Sequence, residues 1–371
     1  MNRNIFSKIG KIIERDSKST TYKFALLRGT IDIIQENSPY IIENKGRIEM
    51  PTGLLIEKWL IYYYPILQSK ILIPQINGNK NLAFHNDFNN LISYYENKGG
   101  FSAFYNDLKS KGIPKDVRID FIRLTKTIRD TITKMPMKYI GRSVNQDFYS
   151  IYNYENDKRL NNSSAIDIEI LINDFGSFSI PIEYYEAFKL LGSFINGQDS
   201  ILFQWANFSV NASKEDLSFD KVINEVLKTP TTERDVLESK KLYRRIIEKR
   251  GAVHCVWTGK TISKYDVDHV IPFSIWKNND LWNLLPSNST INRNKKKDKI
   301  PSPSLIEKQK DIILDYWDII YKEESERFRK EFQTALLGNQ PFKNWRQNGI
   351  PKLKESCTYL IENRGFEEWK I

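Results

Sequence analysis

Cysteine is scarce in this chain, with two in 371 residues. A disulfide framework is therefore excluded as the organising device, and Cys255 and Cys357 fit a reducing compartment. No long apolar run is found either. The most apolar stretch, LLIEKWLIYYYPIL, is interrupted by Glu57, Lys58 and Pro65. It is too short to span a bilayer and reads as a buried helix. The first residues, MNRNIFSKIGKIIERDSK, are amphipathic and charged throughout, without the apolar core of a secretory signal. Together these absences predict a cytoplasmic protein with no membrane partner. Internal repeats and low-complexity tracts are also missing, so the fold is not a repeat array.

What is present is ordinary for a soluble protein: 40% hydrophobic and 27% charged residues. Nineteen tyrosines and 20 phenylalanines argue against disorder. The length suffices for two or three domains with a sizeable core. A formal net charge of +10 suits a polyanionic partner.

Periodicity predicts a helical domain over 1–136. Its helices are Ile5 to Glu14, Thr21 to Glu36, Gly53 to Tyr64, Phe88 to Tyr95, Phe101 to Leu108 and Val117 to Thr133. The basic residues Arg118, Arg123, Lys126 and Arg129 on the last of these read as a solvated face, with a groove contact to nucleic acid as the alternative. Residues 137–230 read as a β-rich insert plus helices. YIGRSVNQDFYSIYNYEND and AIDIEILINDFGSFSIP alternate apolar and polar residues as strands do. Phe148, Tyr149, Tyr152 and Tyr154 are expected in sheet packing rather than base stacking. No motif of known chemistry precedes residue 250. KTPTT, Lys228 to Thr232, forms a joint, and Thr232 is expected to cap a helix ending at Gly251. Residues 231–304 form a linker helix and a third module, and 305–371 a C-terminal helical segment in which Trp317, Trp345 and Trp369 are core anchors.

Chemistry concentrates between Cys255 and Pro301, in CVWTGKTISKYDVDHVIPFSIWKNNDLWNLLPSNSTINRNKKKDKIP. The stretch predicts a strand from Thr261 to Val270, a second strand from Leu281 to Leu285, and a helix opening near Ser289 after Ser287 or Asn288 as cap. The carboxylate of Asp268 and the amide oxygen of Asn292 are hard donors suited to a hydrated Mg²⁺. Imidazole titrates near neutrality, so His269 is placed to take a proton from water. Successive strand residues face opposite ways, so Asp268 and His269 can serve one phosphate only if the strand ends or bulges there.

These elements resemble the HNH endonucleases, the ββα-metal nucleases. DVDHVIPFS is similar to their first-strand motif, NDLWNLLPS to the middle asparagine segment and INRNKKKDKIP to the final helix. The resemblance implies His269 as general base, Asp268 and Asn292 as ligands of Mg²⁺ or Mn²⁺, and Asn283 as a brace for the histidine's backbone. It departs from many HNH proteins in lacking paired C-x-x-C knuckles, so no structural zinc is expected and Trp257, Leu281 and Trp282 pack the module instead. Asp266 shares a strand face with Asp268 and reads equally as a solvated carboxylate or as a supporting group. Lys295, one turn from Asn292, is expected to contact the nucleic-acid backbone. Arg293, Lys296, Lys297 and Lys299 are divided between that role and a solvated face. Arg244 and Arg245 suit the C-terminal end of their helix on dipole grounds, with backbone contact as the alternative.

The fold expected is thus mainly α with a small β-rich insert and an embedded ββα-metal (HNH) module. The function implied is metal-dependent hydrolysis of DNA, in restriction or anti-phage defence. One module holds one active site, so a double-strand cut takes two events or a homodimer. An activating protein or small molecule is a further partner to consider. The alternatives are a nucleic-acid-binding adaptor with an inactive HNH module, and an HNH toxin or intron-type endonuclease.

Overall fold

The computed structural model describes residues 3–78, 81–141, 150–155, 166–196, 201–214, 216–226 and 232–371. Phe148, Tyr149 and the joint up to Thr231 lie outside the described residues. The chain divides into two compact units, residues 1–230 and 231–371. Both are mostly helical, with small sheets.

In the first unit, one apolar core runs from Ile5 to Val222. Its central helices are Tyr22–Gln35 and Thr52–Gln68, each buried on nearly every side. Tyr22 of the first stacks on Trp59 of the second at 5.5 Å, and the Tyr63 ring centroid lies 5.1 Å from Phe84, 5.5 Å from Trp205 and 5.6 Å from Trp59. Gly53 is required by close approach. A Cβ there would fall 1.9 Å from the Leu171 carbonyl oxygen, so only glycine lets the two backbones meet. On the helix Arg118–Lys134, Phe121, Leu124, Ile128 and Ile132 are buried, while Arg123 pairs with Asp87 and Asp120 and Arg129 with Asp130.

The sheet of this unit draws on strands from outside 137–230 as well. Its strands are β1 (Ile42–Asn44), β2 (Arg47–Pro51), β3 (Asn153–Glu155) and β4 (Ser177–Pro181), ordered β1-β2-β4-β3 and antiparallel. Half of it therefore comes from before residue 137. Lys45 and Gly46, both with positive φ, make the tight turn between β1 and β2. β2 then pairs with β4 through Ile48↔Ile180 and Met50↔Phe178. The AIDIEILIND stretch corrects the expectation of a strand. Ile168–Asp174 is a helix, begun by the Asp167 carboxylate accepting from the Ile170 N–H. Tyr152 packs in the core and shares a hydrogen bond of 3.0 Å with Thr30.

The second unit has its own core, from Leu242 to Trp369. The C-terminal helices share it: the Trp317 indole N–H donates to the Trp282 carbonyl at 2.8 Å, and Trp345, Trp369 and Cys357 are buried. The helix Leu237–Arg250 ends at Gly251, whose φ of +81° and bond to the Ile247 carbonyl form a left-handed cap. It begins at Leu237 rather than after Thr232. The Thr232 hydroxyl donates instead to the Lys277 carbonyl at 2.7 Å, and Asp235 accepts from the Leu237 N–H. The strands of this unit are β5 (Val253–His254), β6 (Thr261–Ile262), β7 (Asp266–His269), β8 (Leu284–Ser287), β9 (Ile300–Pro301) and β10 (Glu368–Trp369). β5 pairs with β6, β7 with β8, and β9 runs parallel to β10. The single strand expected from Thr261 to Val270 is thus split between two partners. Leu281–Asn283 is a 3₁₀ turn, and the strand it was expected to open starts at Leu284.

Candidate active site

β7 ends at His269, where Asp268 opposes Leu285 and His269 opposes Leu284. The chain leaves the ladder there, and Asp268 and His269 both line one cleft of about 600 Å³. Asn292 lines the same cleft, with Arg234, Lys240 and Lys297. The three motif residues that the sequence separates by 24 positions are therefore gathered around one space.

Asn283 holds the turn that follows the histidine. Its side-chain oxygen accepts from the Ile271 N–H at 2.8 Å and its amide donates to the Ile271 carbonyl at 2.9 Å. Its backbone carbonyl accepts from the Val270 N–H at 2.8 Å. The side chain is fully buried, so a residue unable both to donate and to accept would leave peptide groups unpaired.

Asp268 is 3% exposed. One carboxylate oxygen accepts from the Trp257 indole N–H at 2.6 Å, and the other lies 3.3 Å from the Lys296 ammonium. Lys296 is fully buried, donates to the His269 carbonyl at 2.7 Å, and sits 5.5 Å from the Trp257 ring centroid. Burial pushes the Asp268 carboxyl above its usual range, opposed by the Lys296 charge and the Trp257 hydrogen bond.

His269 is 2% exposed, and neither ring nitrogen has a hydrogen-bond partner of regular geometry. Burial, aided by the charge of Arg234, lowers its pKa to about 3; the nearby Asn279 side chain and Asn278 backbone oppose this only weakly. The ring is therefore neutral near pH 7. The Phe273 ring packs edge-on at 5.5 Å.

The last element is a wide helical turn, Ile291–Lys296, rather than a regular α-helix. The Asn288 side chain accepts from the N–H groups of Thr290 and Ile291. At the far end the Lys297 N–H bonds to the Asn292 carbonyl, five residues back. This winding sets where the lysines lie. Lys296 is fully buried and held between the Asp268 carboxylate and the His269 carbonyl, so it is not free to contact nucleic acid. Lys295 is exposed and does not line the cleft. Arg293 grips Asp266 with two bonds, of 2.7 and 3.0 Å, and this hydrogen bonding lowers the Asp266 pKa. Arg244 is exposed, and Arg245 lies 3.2 Å from Glu323.

Sequence reasoning missed the Trp257 indole as a partner of Asp268, and Arg234 as a lining residue. A usable signal existed only for Trp257, since a buried indole N–H needs an acceptor. Among the described residues, no group of three or more His, Cys, Asp or Glu could hold a metal ion. The cleft offers one carboxylate and one amide. Each Asp268 oxygen takes one bond and keeps a lone pair, and the Asn292 side chain makes no hydrogen bond with any described residue. Two hard oxygen donors fit a divalent ion that retains most of its water, while the Lys296 charge works against tight binding.

Residues 255–302 match the HNH endonuclease family, giving this segment a nuclease-type function and a nucleic-acid substrate at the level of that family. A search among curated proteins returns no match. No helix among the described residues is long and apolar enough to cross a membrane. The larger match covers residues 2–226, and by it the chain belongs to DUF8808, a family described as a domain of unknown function.

Proposed function

We propose that the cleft hydrolyses phosphodiester bonds of DNA, with His269 as general base. The observation that carries this reading is the meeting of His269, Asp268 and Asn292 around one cleft, with both imidazole nitrogens left without regular partners. The pairing of β7 with β8, followed by the helical turn at Ile291–Lys296, supports the reading of a ββα-metal module.

The negative charge of a phosphate in the cleft raises the imidazole's pKa from about 3 toward its ordinary value, and the neutral ring accepts a proton from water as that water attacks phosphorus in line. The bond to the 3′ oxygen breaks and that oxygen takes a proton from solvent water, leaving a 5′-phosphate and a 3′-hydroxyl. Asn283 fixes the backbone that follows the ring, so the base keeps its orientation. Lys240 and Lys297 bring positive charge to the cleft wall and favour a polyanion there. A divalent ion bound by Asp268 and Asn292, Mg²⁺ or Mn²⁺, would supply Lewis-acid stabilisation of the charge on the phosphate and the leaving oxygen. DNA as substrate, and restriction or anti-phage defence as setting, rest on the family resemblance and on the joining of a nuclease segment to a larger unit.

The test is nicking of supercoiled plasmid by the purified chain in Mg²⁺, Mn²⁺ or EDTA. Metal-dependent nicking that His269→Ala abolishes is expected. Cutting that persists in the variant would remove His269 from the reaction.

A further inference from the structure

The cleft has a cationic wall that lies outside the matched segment. Arg234 lines it, 21 residues before Cys255, where that segment begins. Its side chain is exposed and makes no hydrogen bond or ion pair with any described residue, whereas the neighbouring Arg293 is committed to Asp266. Its backbone is held on both sides. The Asn279 amide donates to the Glu233 carbonyl at 2.8 Å, and its oxygen accepts from the Asp235 N–H at 3.0 Å. One side chain thus clamps the two peptides that flank Arg234. The Thr232 hydroxyl adds a third tie, to Lys277.

The clamp belongs to the same loop that steadies the histidine. Asn278 accepts from the Asn283 amide at 3.3 Å, and Asn283 holds Ile271. The stretch 277–283 therefore links the segment carrying Arg234 to the turn after His269.

We propose that Arg234 is a phosphate-binding residue of this cleft, fixed by the Asn279 clamp so that its guanidinium meets the backbone of a nucleic-acid strand lying across His269. The proposal rests on the nuclease reading and deepens it. A planar fork of donors on a restrained backbone suits a phosphodiester, and its lack of an internal partner leaves that fork available. Asn279 is a positioning residue, acting through Arg234.

The test is the salt dependence of binding of a short fluorescein-labelled DNA duplex to the full chain in EDTA, read by anisotropy. Arg234→Ala is expected to weaken binding severalfold and to make the slope of log affinity against log salt shallower by about 0.9, the loss of one phosphate contact. Arg234→Lys should restore the slope, and Asn279→Ala should weaken binding while leaving the circular-dichroism spectrum unchanged. An unchanged affinity and slope for Arg234→Ala, with the parent chain binding well, would overturn the role of Arg234 and leave the nuclease reading standing. A parent chain that neither binds the duplex nor nicks plasmid would overturn both.

Discussion

The two units treat buried charge differently. In the first, charges close on one another: the Lys58 ammonium grips the Glu36 carboxylate at 2.5 and 2.6 Å, Glu57 accepts from Tyr105 and Lys109, and Tyr62 donates to Asp32. In the second, Asp268 and Lys296 form a buried pair, yet the next residue, His269, keeps both ring nitrogens without regular partners beside a cleft. Leaving a buried polar group unpaired costs free energy that packing could otherwise avoid. The first unit also buries unpartnered polar atoms, on Trp59 and Tyr64, so it is the position of His269 on the cleft lined by Asp268 and Asn292 that reads as chemistry.

That contrast breaks most visibly at Lys296. Lys296→Met removes one partner of a buried pair and is expected to destabilise the second unit by about 3–5 kcal/mol. Chemical denaturation followed by tryptophan fluorescence should show this loss in one transition, with that of the first unit unmoved. A smaller effect is expected from the first unit. Gly53→Ala drives a methyl into the Leu171 carbonyl and should cost about 1–3 kcal/mol. Plasmid nicking below its melting temperature should proceed at the parent rate; a slowed rate would mean that the first unit takes part in the reaction.

The third prediction concerns pH. The folded-state pKa of His269 is lowered to about 3, well under its ordinary value near 6.5. Between these values the unfolded chain binds a proton that the folded chain does not, so stability falls as pH falls. In EDTA the second unit should lose about 1.4 kcal/mol for each pH unit below the ordinary histidine value, as far as this one group contributes. His269→Gln should flatten that part of the profile, and an unaltered profile would show that the ring is not held neutral.

How much was legible follows from the range of each interaction. The meeting of Asp268, His269 and Asn292 on one cleft, and the hold of Asn283 on the turn after the histidine, were readable because the strand, turn and helix that carry them are local and ordered. The burial of Lys296 against Asp268 was not, because an α-helical spacing was assumed where the chain winds a wider turn. Apolar-polar alternation misled at Ile168–Asp174, where the Asp167 cap and the contact with Gly53 favour helix. The pairing of β2 with β4 joins residues some 130 positions apart, and no local pattern announces it. Arg234 escaped for the same reason: its place in the cleft depends on the Asn279 clamp, which sequence spacing does not reveal.

The central claim is that the chemistry belongs to the cleft beside His269 and not to the exposed basic run. Single-turnover nicking rates in Mg²⁺ for the parent, His269→Ala and Lys295→Ala test it most directly. The account predicts a loss on the order of 100-fold or more for His269→Ala, and a near-parental rate for Lys295→Ala. Parental nicking by His269→Ala, or equal losses in both variants, would contradict it.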